Sequence, residues 1–150
     1  MKLAFSGAPE VAAPRNVVWH CLMDPDFVAQ SAPGVERIDR VDGTHYAVIS
    51  AFDVGSMRLR FYLEVELSDL EEPSRATMTA RGKAPGSAVD VIASIALEQT
   101  APGRTVMRWN SESELSGTIT SVGGRLLEGA AKKLTGQFWD DFARRVPTGS

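Results

Sequence analysis

Side chains that could carry out nucleophilic or metal chemistry are few and scattered in this sequence. His20 and Cys21 are adjacent, but neighbouring residues on a helix point about 100° apart and do not face each other. We therefore expect no Cys–His catalytic pair, and we expect Cys21 to pack as a small hydrophobic residue. His45 follows a turn signal and should be exposed. Two histidines and one cysteine at unrelated spacings predict no metal site.

The carboxylates also give no clear acid–base site. Asp53 ends a predicted strand, which favours a role in a turn, and alternation points Asp90 out of the sheet. Neither is a good general acid or base without a buried partner. Gly123 and Gly124 fall inside a predicted helix and so form no phosphate-binding loop. The sequence predicts no catalytic residue.

The remaining candidate site is a set of apolar and sulfur-bearing side chains with two hydroxyls. A mostly apolar pocket of this kind suits a hydrophobic ligand with one or two polar atoms. The same side chains could equally fill an ordinary core, and both interpretations stay open at this point. The predicted set is Met57, Leu59, Phe61, Met78, Met107, Trp109, Ser111, Ser113, Leu127, Leu134 and Phe138.

The elements that position this set are mainly strands. Alternation of apolar and polar residues is clearest at 57–67, where every second side chain is apolar. Tight turns between successive strands predict antiparallel neighbours. The predicted strands are 3–13, 35–41, 44–53, 57–67, 75–83, 87–98 and 104–117. Short helices are predicted over 13–22 and from Asp24 to about Ala32.

A long amphipathic helix is predicted over 119–146. Apolar residues recur every four positions from Val122 to Phe142, and acid-before-base pairs such as Asp140 with Arg144 and Asp141 with Arg145 mark the opposite face. Four glycines lie inside the pattern, although each costs roughly 1 kcal/mol relative to Ala. We expect the sheet or a ligand to approach the helix closely at Gly123, Gly124, Gly129 and Gly136.

These elements predict an α+β fold in one domain, residues 1–150, with a flexible end at 147–150. A seven-stranded antiparallel sheet twists and curls, and only the long helix has enough apolar surface to cover its concave face. Two short helices lie between the first and second strands. An edge of the first or second strand is open to pairing with another copy.

Composition excludes several functional classes. A net charge of −3 without a basic stripe argues against general nucleic-acid binding. A single cysteine cannot form an internal disulfide, which fits a reducing compartment. There is no signal-peptide pattern and no run approaching ~20 apolar residues. We expect a soluble cytoplasmic protein.

In its order of motifs the chain resembles the START-like (SRPBCC) superfamily, and within it the G-subunit family of carbon monoxide dehydrogenase. The resemblance covers nearly the whole chain. It is carried by Ala13-Pro14-Arg15, Val18-Trp19, Leu22, Asp24-Pro25, Pro33-Gly34-Val35-Glu36, Val54-Gly55, Phe61, Gly86-Ser87-Ala88, the run from Gly124 to Leu134, and Gln137-Phe138.

The resemblance implies a helix-grip fold around a deep cavity and a non-catalytic role. A lipid- or quinone-like molecule would bind between sheet and helix, with no intrinsic cofactor. The partner would be a molybdenum-containing carbon monoxide dehydrogenase or a related hydroxylase. Many members of the family carry an apolar C-terminal extension suited to membrane attachment, whereas this sequence stops at Ser150. We therefore do not expect direct membrane anchoring, and peripheral contact with the inner membrane face stays open.

Two other hypotheses compete with a carrier. One is a small cavity enzyme of the polyketide cyclase or hydrolase kind, which would require an ionisable group inside the pocket. The other is a structural module whose core is filled by side chains. The position of His20 or Asp90 and the presence of a cavity distinguish the three.

Overall fold

A computed structural model of the protein describes residues 1–40 and 42–148. Its elements are β1 (Lys2–Gly7), β2 (Glu10–Val11), α1 (Arg15–Leu22), α2 (Pro25–Ala29), β3 (Val35–Arg40), β4 (His45–Val54), β5 (Met57–Glu71), β6 (Arg75–Ala84), β7 (Ser87–Ala101), β8 (Arg104–Gly117), a 3₁₀ helix (Thr118–Val122) and α3 (Gly124–Arg145). Val41, the predicted end of the second strand, and positions 149–150 of the predicted flexible end lie outside the described residues.

The strands form one curved antiparallel sheet, as predicted. Its order is β1-β8-β7-β6-β5-β4-β3, and β2 also pairs with β8. Strands β3 to β8 follow one another as a meander, and the first strand returns to pair with the last. Strands β1 and β3 therefore occupy the two edges, and the inner face of the sheet is turned toward α3.

The predicted first strand, 3–13, is wrong in one respect, because it is two strands. β1 ends at Gly7 and β2 begins at Glu10, on either side of Pro9. Proline has no N–H to donate to a ladder, which interrupts the strand at this point. Its carbonyl still accepts a hydrogen bond from the Met107 amide at 3.0 Å, which keeps both pieces beside β8.

The long helix is shorter than predicted and begins later. Residues Thr118–Val122 form a separate 3₁₀ helix, and α3 contains 22 residues from Gly124. Gly123 joins them with φ 98°, a left-handed conformation that favours glycine. Gly123 therefore precedes α3 and Gly124 is its first residue, so neither lies in the helix interior.

The buried face of α3 also differs from the predicted stripe. Leu127, Trp139, Phe142 and Ala143 are buried, whereas Leu126 is 49 % exposed. An α-helix has 3.6 residues per turn, so a step of four residues goes slightly past one full turn and rotates the stripe by about 40°. A strict four-residue spacing therefore winds around the helix, and it carries Leu126 away from the sheet.

The predicted close approach of the sheet at the remaining helix glycines is wrong. A Cβ atom added to Gly129 or Gly136 would meet nothing within 4 Å. On the solvated face, Asp141 pairs with Arg145 as predicted, at 2.9 Å, but Arg144 also pairs with Asp141, at 2.6 Å, and not with Asp140. The glycines of α3 do not make room for the sheet.

The core consists of two apolar clusters, one at each half of α3. The cluster at the C-terminal half contains the stacked Trp109 and Trp139 rings, with centroids 5.9 Å apart. The other contains Leu59, Phe61 and Leu127, with the 3₁₀ helix packed against it. The inner face of the sheet carries both clusters, and the space between them contains the candidate site.

One side-chain network ties the end of α3 to α2. Arg145 donates from Nη2 to the Phe27 carbonyl at 2.7 Å and from Nε to Asp141 at 2.9 Å. Its guanidinium also lies 4.3 Å from the centre of the Phe27 ring. This network positions α2, whose side chains form part of the cavity wall.

Candidate ligand-binding cavity

A cavity of about 240 Å³ lies between the inner face of the sheet and the middle of α3. Strands β4 to β8 form one wall, α3 forms the second, and α2 with the segment that follows it forms the third. The residues around it are Val28, Ala29, Ala32, Pro33, Tyr46, Val48, Ser50, Phe52, Phe61, Leu63, Val65, Met78, Ala80, Val89, Val91, Ala93, Ser111, Ser113, Leu134, Thr135, Phe138 and Trp139.

A second chamber of about 140 Å³ adjoins the first toward the start of α3. The two chambers share lining residues, including Phe52, Phe61, Leu134 and Thr135. Residues of the 3₁₀ helix and the first turns of α3, such as Ile119 and Leu127, close the far end. The site is therefore elongated along α3.

Side-chain size explains why the space exists. Several inward positions of the central strands that line the cavity carry small residues, namely Ala80, Ala93, Ser111 and Ser113. Thr135 on α3 is also short. Larger side chains on either side form the two core clusters. Packed interiors normally leave few voids larger than a water molecule, so a space of this size reflects the local absence of bulky side chains.

The lining is apolar apart from hydroxyl groups. Among the described residues around both chambers there is no Asp, Glu, Lys, Arg or His. Tyr46 is buried, and burial raises the pKa of its phenol, which is therefore neutral at physiological pH. Ser50 donates to the Pro33 carbonyl. The Ser111 hydroxyl is buried and has no hydrogen-bond partner among the described protein atoms.

The structure places most of the predicted site residues at the cavity, but not all of them. Those that line one or both chambers are Phe61, Met78, Ser111, Ser113, Leu127, Leu134 and Phe138. Met57, Leu59, Met107 and Trp109 lie outside it, in or against the packed core. They share the inner face, but the bulky neighbours of the two core clusters surround them.

The wall formed by β4 and α2 was not predicted from the sequence. Tyr46, Val48, Ser50 and Phe52 line the main chamber from β4, and Phe52 stacks on Phe61 with ring centroids 5.7 Å apart. Their alternation along 46–52 was a signal that could have identified them. The contributions of Val28, Ala29, Ala32 and Pro33 carry no such signal, because they depend on how α2 packs against α3.

The side chains considered for catalysis lie away from the cavity. His20 and Asp90 are exposed, and Asp90 is on the outer face of the sheet as predicted. Asp53 is exposed and pairs with Arg58 across the β4–β5 turn at 3.3 Å. Cys21 is partly buried, and the pKa of its thiol is raised by burial and by Asp24. A raised pKa disfavours the reactive thiolate.

His45 lies in a small exposed cluster at the β3–β4 turn. Its Nδ1 is 3.1 Å from Asp42 and its Nε2 is 3.3 Å from Glu66. The hydrogen bond to Asp42 is the main cause that raises the pKa of His45. Within residues 1–40 and 42–148, no group of three or more His, Cys, Asp or Glu could hold a metal ion.

A larger but open depression of about 900 Å³ lies on the opposite, outer face of the sheet. Its rim carries both signs of charge, including Lys2, Arg81, Asp90 and Glu112. Mixed charges on an open surface indicate a solvated face. The smaller apolar cavity under α3 is the better candidate for a ligand site, since ligand pockets are concave and mostly apolar.

Comparison with known proteins identifies the family. A family model described as the G subunit of carbon monoxide dehydrogenase (CoxG) matches residues 7–147. The chain belongs to the CoxG family. A comparison with curated proteins found no match.

Solved structures place this CoxG-family chain in the START-like fold. A conserved protein from Geobacillus kaustophilus superposes with a TM-score of 0.86 at 20% identity, over 96% of this chain and 95% of that one. A START superfamily protein from Mycobacterium smegmatis gives 0.64 at 11% identity, over 96% and 99%. The Zhui aromatase/cyclase from Streptomyces sp. R1128 gives 0.63 at 18% identity, over 98% and 97%. The predicted resemblance and helix-grip architecture are confirmed.

No helix in the described part of the chain has both the length and the apolar character that spanning a membrane requires.

Proposed function

We propose that this CoxG-family protein is a non-catalytic carrier that binds a hydrophobic small molecule between the sheet and α3. The observation that carries the proposal is an elongated apolar cavity whose described lining contains hydroxyls but no charged side chain. Burying an unpaired charge in such a site would be costly, so a neutral, mostly apolar ligand fits best.

The size of the cavity sets a scale for the ligand. An apolar cavity of about 150 Å³ can hold a benzene molecule. The main chamber of about 240 Å³ therefore has room for more than one ring, and the adjoining chamber of about 140 Å³ could take a chain or a further ring. A lipid- or quinone-like molecule has this combination of an apolar body and a few polar atoms.

Family membership supports an accessory role. The family is described as a subunit of carbon monoxide dehydrogenase, so we propose a molybdenum-containing carbon monoxide dehydrogenase or a related hydroxylase as the partner. The carrier would work in the cytoplasm, with access to the inner face of the membrane. Affinity purification from the native host should recover a component of such an enzyme, and its consistent absence would contradict this part of the proposal.

The cyclase or hydrolase alternative receives less support from the site. General acid–base catalysis needs a group that can exchange a proton near neutral pH. Tyr46 is the titratable side chain of the described lining, and burial raises the pKa of its phenol. His20 and Asp90 are exposed and lie away from the cavity.

Mass spectrometry of the purified protein tests ligand binding directly. We expect a native mass that exceeds the chain mass by one small molecule, and we expect organic extraction to release that molecule. Wild-type protein and a variant with a filled cavity should be compared from the same host. An apolar molecule recovered equally from both would show that it binds elsewhere.

A further inference from the structure

Ser111 is unusual among the buried serine and threonine hydroxyls of this protein. It is 2 % exposed and lies in the middle of β8, on the inner face of the sheet. The other buried serine and threonine side chains are each bonded to backbone: Ser50 donates to a carbonyl, Ser87 accepts from an amide at 2.9 Å, and Thr105 donates to a carbonyl at 2.8 Å. Within the described residues, Ser111 Oγ alone among these has no partner.

Ser111 lies in the wall of the cavity, and its Oγ atom exposes less than 1 Å² of surface. Ser111 pairs with Ala93 on β7 and with Phe5 on β1. Both Ser111 and Ala93 line the main chamber. A buried polar group without a hydrogen bond costs free energy, so a hydroxyl kept in this position needs a partner from outside the protein fold.

Trp109 carries the other unpartnered buried polar atom, and its surroundings are different. Its Nε1 is packed against Gly7, where an added Cβ would come within 2.7 Å of it. The indole stacks on Trp139 and does not line the main chamber. The orphaned indole nitrogen therefore faces packed protein, whereas the orphaned hydroxyl belongs to a residue of the cavity wall.

We propose that Ser111 is the polar anchor of the ligand site and that the ligand is a ring compound with a hydroxyl or carbonyl oxygen. The inference rests on the proposed binding function and specifies the chemistry of that site. The ring system would occupy the main chamber, with its oxygen hydrogen-bonded to Ser111 Oγ. A purely hydrocarbon ligand would leave this hydroxyl unpaired.

A matched pair of probes tests the anchor. Naphthalene and 1-naphthol have the same ring system and differ by one hydroxyl, and their dissociation constants can be measured by titration calorimetry. Ser111→Ala should raise the dissociation constant of 1-naphthol by about 3- to 10-fold, the range expected for the loss of one neutral hydrogen bond. The dissociation constant of naphthalene should stay within about 2-fold of the wild-type value. Ser94→Ala is the matched control, because Ser94 is exposed on the outer face of β7.

A second readout separates an anchor from a merely structural serine. Removing an unpaired buried hydroxyl should raise the melting temperature of the ligand-free protein, whereas a serine that supports the fold would lower it when replaced. A higher melting temperature together with selective loss of 1-naphthol would support the anchor.

Equal changes for both probes, or a lower melting temperature, would overturn the anchor while leaving hydrophobic binding intact. If neither probe binds the wild-type protein, the anchor fails, whereas the proposed binding function fails only if mass spectrometry also recovers no co-purifying molecule.

Discussion

Replacing Ala93 with leucine asks directly whether the space under α3 is hollow. Ala93 is 3 % exposed and lies on the inner face of β7, at the main chamber. Leucine has three more carbon atoms than alanine. If each occupies roughly the volume of a water molecule, about 30 Å³, the three are smaller together than the chamber. The chamber of about 240 Å³ can accept them without displacing the backbone.

The sign of the stability change separates a cavity from a filled core. Each buried methylene contributes about 0.8 kcal/mol, so Ala93→Leu could raise the free energy of unfolding by up to about 2 kcal/mol. In a packed core the same change would lower it by about 1–3 kcal/mol through overpacking. For a chain of this length, 1 kcal/mol corresponds to about 2–4 °C in melting temperature.

Ala76→Leu provides the matched control. Ala76 is 4 % exposed and also faces inward, from β6, but it lines neither chamber. We expect Ala76→Leu to destabilise the protein by about 1–3 kcal/mol. Urea unfolding followed by tryptophan fluorescence can measure both variants, since Trp109 and Trp139 are buried and stacked.

The same variants also test function. Ala93→Leu should abolish or strongly weaken binding of the co-purifying molecule while the protein stays folded. If Ala93→Leu destabilises the protein as much as Ala76→Leu does, the chamber is not hollow in solution, and the carrier hypothesis loses its structural basis.

Glycine, arginine and histidine positions outside the cavity give three more tests. Gly129→Ala should stabilise the protein by about 1 kcal/mol, because an added Cβ meets nothing within 4 Å, whereas Gly123→Ala should destabilise it because of the positive φ there; thermal unfolding compares them. Arg145→Met should lower the free energy of unfolding, measured with urea, by about 1–3 kcal/mol, because it removes the hydrogen bond to α2 and the ion pair on α3. Arg145→Lys should remain less stable than the wild-type protein, since lysine cannot reproduce the planar guanidinium. Asp42 raises the pKa of His45 above 6.5, so the contribution of the protonated imidazole to stability is fully present below about pH 6.5 and is lost as pH rises through the folded-state pKa. His45→Gln should therefore lower the urea midpoint at pH 5 but not at pH 8.5. An equal effect at both pH values would contradict this.

Much of the architecture could be predicted from local patterns. Side chains on a strand alternate between faces, so the apolar positions of residues 57–67 and 104–117 identified the inner face of the sheet. Short turns then require antiparallel neighbours. The same reasoning correctly placed Asp90 outside and Ser111 inside.

Other features depended on exact geometry along the chain. A four-residue apolar spacing assigned Leu126 to the buried face of α3 and left out Trp139, because the pattern does not show which way a helix is rotated against its sheet. The break at Gly123 was missed because glycine is compatible both with a costly helix interior and with a positive φ.

Sequence patterns were sufficient to predict which side chains face inward and which family the chain resembles. They could not predict whether those side chains meet. Met107 and Trp109 share an inner face with Ser111, yet the first two lie within the packed core and the third lies in the wall of a cavity. The side of the sheet on which a side chain lies is fixed locally by its position along the strand. Empty volume depends on the sizes of side chains from β4 to β8, α2 and α3 together, and these elements meet only in the folded chain.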